Sequence, residues 1–208
     1  MGRYTGPACR QCRQVGEKLF LKGERCYTPK CAIEKHRAAP GSPRPSRRRP
    51  SDYAVRLREK QKVRYAYGLR EHQFLRNVKQ AQKQPGITGL YLMQLLERRL
   101  DNVVYRLNFS DSRAQARQMV LHGHCTVNGR KVDIPSFVVK AGDEISWRTS
   151  SMEKEFVKEI KETIPKREIP RWLDLDAGAL TGKVSSLPEE QDIGDTVDTR
   201  LIVEFYSR

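Results

Sequence analysis

From Ser51 onward the apolar positions recur at helical spacing. Tyr53, Leu57, Val63 and Tyr67 form one stripe, Ser51 is an N-cap residue by type, and Gly68 suits a C-cap. A second helix is predicted from Arg70 to Lys83, with Phe74, Leu75, Val78 and Ala81 inward, stopping at Pro85-Gly86. A third starts near Thr88 and runs through Leu92, Leu95, Leu96, Leu100, Val103, Val104 and Leu107; its length predicts a break near Glu97–Leu100. Ser110 is placed to cap a short basic helix over Ser112–His122, closed by Gly123. Residues 124-HCTVNGRKV-132 then alternate around Asn128-Gly129, the pair suited to a two-residue hairpin turn with φ > 0 twice. Strands are predicted at Phe137–Val139 and Glu144–Trp147, and a helix over Met152–Ile164, ended by Pro165. Residues 165–200 read as irregular, punctuated by prolines and glycines, and Leu201–Phe205 reads as a final strand.

Charge changes this picture more than composition does. Of 208 residues, 38% are hydrophobic, enough for a modest core, while 40 Lys and Arg against 25 Asp and Glu leave a net charge of +15. Residues 1–100 hold 24 basic and 7 acidic side chains, whereas residues 101–208 hold 16 and 18. Solubility needs a net charge of only about 2–8 in a small domain. An excess of this size in one half is the footprint of a polyanionic partner, because cations set on phosphates release condensed counterions. No apolar run approaches the ~18 residues of a membrane span. Met1-Gly2-Arg3-Tyr4 lacks a signal peptide's apolar stretch, so the expected compartment is the cytoplasm, with no membrane partner.

Cys9, Cys12, Cys26 and Cys31 carry the second candidate chemistry. Their pattern, C-x2-C-x13-C-x4-C, lets two pairs of thiolates close a tetrahedron around one structural ion. Zn2+ is the expected ion; an iron–sulfur cluster on the same four cysteines is the alternative. Two disulfides are a further alternative, disfavoured in a reducing compartment. Cys125 stands apart in a strand pattern and reads as a small buried residue. After Cys31, the stretch 38-AAPGSPRPSRRRPS-51 reads as an extended linker whose Arg44, Arg47, Arg48 and Arg49 can lie along a phosphate backbone. There is no G-x-S-x-G, no phosphate-binding G-x-x-x-x-G-K-[ST] and no H-E-x-x-H. Asp174 and Asp176, the nearest thing to paired acids, have no histidine partner, so no catalytic residues are assigned and an enzyme is not expected.

Residues 99-RLDNVVYRLNFSDSRAQARQMVLHGHCTVNGRKVDIPSFVVKAGDEI-145 carry R-L-D, S-R-x-x-A-R and H-G-x-x-x-V-N-G-x-x-V followed by G-D. They resemble the small RNA-binding module named after protein four of the small ribosomal subunit. That module also occurs in RNA-modifying enzymes and in free RNA-binding factors, which are the alternative readings. The opening M-G-R-Y-T-G-P, the block 50-PSDYAVRLREKQKVRYAYG-68 and the closing E-F-Y-S-R extend the resemblance to the bacterial small-subunit protein four (uS4) family over nearly the full length, and the four cysteines to its metal-binding branch. The linker 40-PGSPRPS-46 departs from the P-G-Q-H-G-like sequence of relatives.

The resemblance implies an α+β protein: a metal-bound lobe (1–40), a basic linker (41–50), an all-α domain (51–96), an α+β module with a small antiparallel sheet and flanking elements (97–178), and a C-terminal segment (179–208) returning to the α domain, so that the module is an insertion. It implies a primary binder of 16S ribosomal RNA that nucleates assembly of the subunit body. Protein five and messenger RNA, close to where the message enters, are the further expected partners, with an influence on decoding accuracy. The residues expected to contact RNA are Arg3, Arg10, Arg13, Lys22, Arg44, Arg47, Arg48, Arg49, Arg56, Lys60, Arg99, Arg113, Arg117, His124, Asn128, Arg130 and Lys131. Within the module, Arg99, Arg113 and Arg117 on two short helices and His124, Asn128, Arg130 and Lys131 on the hairpin are expected to share one basic surface, shaped to an RNA backbone rather than to base edges.

Overall fold

The computed structural model describes residues 4–41, 49–164, 167–193 and 197–207. Arg3, Arg44, Arg47 and Arg48 lie outside the described residues. The chain divides into two compact units, one built from residues 1–92 and 195–208, the other from residues 93–194. The second is thus contiguous in sequence and inserted into the first. Its end lies beyond residue 178, for a reason found in its sheet.

In the first unit, α1 (Ala8–Val15) carries Cys12 and Val15 on its buried face, where they pack with Leu19 and the half-buried Leu21, Ile33 and Tyr65. A 3₁₀ turn at Gly23–Tyr27 follows. α2 (Asp52–Ala66) starts where expected, with the Ser51 hydroxyl accepting from the backbone N–H of Ala54 at 3.3 Å. Val63 and Tyr67 of the predicted stripe are buried, but Tyr53 is exposed. α3 (Glu71–Ala81) buries Phe74, Val78 and Ala81 along one face. α4 (Thr88–Glu97) carries the chain into the second unit, where α5 (Leu100–Arg106) begins after the predicted break: Arg99 is extended, at φ −67° and ψ 136°.

In the second unit, α6 (Arg113–Leu121) is capped by Ser112, not Ser110; the Ser112 hydroxyl accepts from Gln115 N–H at 3.3 Å, while Ser110 donates to the Ser112 carbonyl. β1 (Cys125–Val127) and β2 (Arg130–Lys131) form the predicted hairpin, with Asn128 and Gly129 at φ 51° and 74°. β3 (Glu144–Trp147) pairs with β1 in the register Cys125↔Trp147 and Val127↔Ile145. The strand expected at Phe137–Val139 reduces to one bridge, Arg99↔Val138, because the chain there is occupied with the start of α5: the Leu100 N–H donates to the Phe137 carbonyl. The helix expected over Met152–Ile164 is two, α7 (Thr149–Met152) and α8 (Glu155–Thr163), with Lys154 extended between them.

The stretch read as irregular contains a hairpin that its prolines and glycines hid. β4 (Leu173–Asp176) and β5 (Thr181–Val184) pair with each other, and β5 pairs with β3, giving an antiparallel sheet of order β2-β1-β3-β5-β4. This pairing keeps residues 179–194 in the second unit. The sheet and helices enclose one core in which Phe109, Ile145, Trp172, Leu180 and Val184 are almost wholly buried, each large apolar side chain contributing on the order of 1.5–3 kcal/mol. Gly182 is required by this packing, since a Cβ there would run into the methyl groups of Leu107.

After α9 (Glu190–Ile193), the chain returns to the first unit as α10 (Thr199–Tyr206), a helix and not the expected strand. Asp198 caps it by accepting from the N–H groups of Arg200 and Leu201, and Phe205 and Tyr206 face Tyr53 and Phe74. The run Leu201-Ile202-Val203, with β-branched Ile202 and Val203, has strand propensity, but cap and packing outweigh it.

Candidate nucleic-acid interface

The cations fall into two physical groups, those used inside the fold and those left for a partner. Asp101, buried at the start of α5, accepts from Arg99 in a fork (Nε to Oδ1 3.0 Å, Nη2 to Oδ2 2.8 Å) and from Arg117 Nη1 of α6 at 3.0 Å. Arg99 and Arg117 are themselves buried, at 3% and 7% exposure. The expectation that they face RNA is therefore corrected: a carboxylate two residues from one arginine and a helix away from the other takes both into the interior. A buried cation is sustainable only when paired in this way.

Lys60 is corrected on the same ground. It is 3% exposed, donates to Glu71 Oε1 at 2.7 Å and stands 4.9 Å from the centre of the Phe205 ring. Tyr206 donates to the same oxygen at 2.7 Å and Arg64 lies 3.5 Å from Oε2. Burial pushes the Glu71 carboxyl upward, but these hydrogen bonds and charges outweigh it and hold the group below its ordinary range. Tyr206, half-buried and donating to a carboxylate, is pushed well above the usual phenol range.

The remaining nominated residues are mixed. Arg113 donates Nε to Asn102 Oδ1 at 2.7 Å and stacks its guanidinium 4.6 Å from the Tyr105 ring centre, so it braces α5 against α6. Arg56 pairs with Glu204 at 2.7 Å, and Arg13 donates to the Ala38 carbonyl at 3.1 Å. His124 is half-buried, with Nδ1 3.0 Å from the Ser151 hydroxyl and its ring at the edge of Phe156. Burial, then the charges of Lys154 and His122, lower its basicity. Asn128 holds the hairpin to β3: its amide donates to Asp143 at 2.9 Å and its oxygen accepts from Glu144 N–H at 2.9 Å. Arg10, Lys22, Arg49, Arg130 and Lys131 are exposed; Lys131 has a loose partner, Asp133, at 3.6 Å.

Sequence reasoning passed over Arg167 altogether. Its guanidinium donates to Asn108 Oδ1 at 3.0 Å and to the carbonyls of Tyr105, Ser110 and Asp111, and lies 4.0 Å from the Tyr105 ring centre. Nothing in its local sequence separates it from the other arginines; only the fold does.

All five cysteines are free, which removes the disulfide alternative. Cys12, Cys26 and Cys31 are buried and Cys9 half-buried. Burial raises the Cys12 and Cys26 thiols first, and the neighbouring cysteines add to it; backbone hydrogen bonds oppose it, from Leu19 to Cys12 and from Lys22 N–H to Cys26 Sγ at 3.4 Å. The four sulfurs are thus close enough to feel one another's charge. Among the described residues, however, no three His, Cys, Asp or Glu side chains are drawn together as a group that could hold a metal ion. The N-terminal lobe is accordingly present, but its thiols are not drawn into a metal-binding group. Cys125 is buried in β1 as expected, and burial pushes its thiol up to about 12. Asp174 and Asp176 share one side of β4; Asp174 meets the Ser185 hydroxyl and Asp176 accepts from Gly178 and Ala179 N–H, a turn-holding role.

A helical unit rich in outward cations, carrying an inserted module of short helices and an antiparallel sheet, defines an RNA-binding protein of mixed α and β architecture. Residues 3–97 match the family model "Ribosomal protein S4/S9 N-terminal domain" and residues 98–145 that of the "S4 domain". The small ribosomal subunit protein uS4 of Thermus thermophilus is 53% identical over 209 aligned residues, covering all of both chains. The uS4A protein of Symbiobacterium thermophilum is 53% identical and the uS4 protein of Geotalea uraniireducens 52%, again over full lengths. The chain belongs to the uS4 family of small ribosomal subunit proteins.

Proposed function

We propose that this chain is a structural, non-catalytic component of the small ribosomal subunit, acting in the cytoplasm by gripping 16S ribosomal RNA. The observation that carries this is the 53% identity, over the whole of both chains, to a small ribosomal subunit protein. The physical reading agrees: 24 cations against 7 acids in residues 1–100 repel one another until phosphates neutralise them. Binding through the first unit makes contact by the inserted module effectively intramolecular, so the two together hold RNA with avidity. Exposed Arg10, Lys22, Arg49, Arg130 and Lys131 are the nominated contacts that this surface supports; Arg99, Arg117 and Lys60 act by holding its shape. As a primary binder, the protein nucleates assembly of the subunit body. Beside protein five, near the path of incoming messenger RNA, it bears on decoding accuracy. Reconstitution with 16S ribosomal RNA and the other small-subunit proteins tests this: one copy per particle should survive a high-salt gradient, and loss of the protein from the particle refutes it.

The first unit is also read as holding one zinc ion on Cys9, Cys12, Cys26 and Cys31. Four thiols within one lobe, two of them taking backbone N–H groups, are a soft donor set with no spare position for a substrate, which suits a structural ion. When bound, such an ion supplies folding free energy and converts the raised thiols to thiolates, releasing protons. Elemental analysis with a visible spectrum on anaerobically purified protein decides it. One equivalent of zinc and no colour is the expected result; iron with a brown band gives the cluster instead.

A further inference from the structure

The unpaired basic side chains on and just after α3 form a site that the residues nominated from sequence do not include. His72, Arg76 and Lys79 follow one another at spacings of four and three, and Lys83 comes four later in the turn after the helix. Around the helix axis Phe74, Val78 and Ala81 fall within about 60° of one another, and His72, Arg76, Lys79 and Lys83 fall within another arc of about 60° centred roughly 160° away. At 100° per residue this places them on the side of α3 opposite its buried face. All four are exposed. Together with Leu75 and Gln80 they line a cavity of about 600 Å³.

Two observations separate this face from an ordinary solvated one. First, none of the four has a side-chain hydrogen bond or ion pair among the described residues, whereas Lys60, Arg99 and Arg117 are all paired with carboxylates. Second, the one acidic residue of α3, Glu71, is already held by Lys60, Tyr206 and Arg64, so it does not offset the stripe. The lining contains no carboxylate, and half-buried Leu75 gives the aliphatic stems of its neighbours an apolar floor. Cations repeated at each helical turn match a ligand whose negative charges also repeat, which a single anion does not.

We propose that this groove seats a ribose-phosphate backbone of the ribosomal RNA, with Arg76, Lys79 and Lys83 each on a phosphate and His72 donating at the groove's end. The proposal rests on the ribosomal reading above and assigns it a contact surface.

The test uses the full chain and a triple variant, Arg76→Gln with Lys79→Gln and Lys83→Gln. A control variant, Lys154→Gln with Lys158→Gln and Lys161→Gln, loses the same charge from the acid-bearing surface around α8. Affinity for 16S ribosomal RNA is measured from 50 to 200 mM salt, and circular dichroism checks that both variants are folded. Three lost phosphate contacts reduce the slope of log affinity against log salt by about 2–3, so the α3 variant's loss over that range is roughly 40-fold smaller than the parent's. The control keeps the parental slope. An unchanged slope in the α3 variant, or an equal change in the control, overturns the proposal; so does equal competition by polyglutamate, which lacks the backbone's spacing. If the parent binds unrelated RNA as tightly as 16S RNA, the ribosomal reading fails separately, and the difference between the variants still decides the groove.

Discussion

Asp101→Asn is the substitution that most directly tests whether the arginines of the inserted module are structural. Asp101 is the shared acceptor for three hydrogen bonds from Arg99 and Arg117 at 2.8–3.0 Å. All three side chains are at most 8% exposed, so solvent screening is weak. The amide removes the negative charge and turns donor protons towards two guanidinium groups that remain buried. Breaking one buried pair this way costs about 3–5 kcal/mol; with two cations stranded, the upper half of that range is expected. Trp147 and Trp172 are the two tryptophans of the chain, and both are buried in the inserted unit. Their fluorescence during urea unfolding therefore reports on that unit alone. With a slope of about 2 kcal/mol per molar urea, the midpoint falls by roughly 2 M. Arg117→Gln should behave similarly, leaving the salt slope of RNA binding unchanged wherever the unit is still folded. A midpoint shift below about 0.3 M for both variants, with a shallower salt slope for Arg117→Gln, would falsify the buried-triad argument.

Three further outcomes are expected. The buried Cys125 thiol titrates near 12 in the folded chain and near 9 when unfolded, so its folded pKa is raised; its contribution is intact below about pH 9 and lost as pH climbs towards 12. Stability then falls by up to ~1.4 kcal/mol per pH unit in that window, and Cys125→Ala should remove one proton's worth of the slope in alkaline urea titrations; identical slopes would sink the assignment. Arg167→Lys loses the fork that reaches Asn108 and three carbonyls and should lower stability by about 2–3 kcal/mol despite keeping the charge, readable by the same tryptophan signal. Cys9→Ser should abolish stoichiometric zinc and increase proteolysis within residues 4–41, while the tryptophan-monitored transition stays in place; a lost transition would mean the lobe and the inserted unit fold as one.

Local rules were the legible part of the fold. Ser51 caps α2 because a serine hydroxyl reaches the N–H three residues on. Asn128-Gly129 makes its hairpin because both residues tolerate positive φ. What could not be read was decided at long range. Arg117 differs from exposed Arg130 only because Asp101, sixteen residues away, is folded next to it. Leu201–Phe205 has the composition of a strand and is a helix because α2 and α3 offer Tyr53 and Phe74 to pack on. β4 did leave a signal, the alternation Leu173-Asp174-Leu175-Asp176, but the surrounding Pro170, Gly178 and Gly182 obscured it. The groove on α3 was half visible: the inward residues identify the helix face, and whether the outward cations are free depends on where Glu71 points.

Because the module interrupts the first unit, synthesis imposes an order on the molecule. Residues 93–194 are contiguous and can close their sheet as soon as they leave the exit tunnel. The segment that buries Lys60 and Phe74, by contrast, includes Phe205 and Tyr206 and so emerges after that unit. At about 5–20 residues per second, the hundred or so residues between α3 and α10 impose a wait of roughly 5–20 seconds. During that time the most cationic part of the nascent chain lacks its lid, and any polyanion nearby meets it before its own C-terminus does.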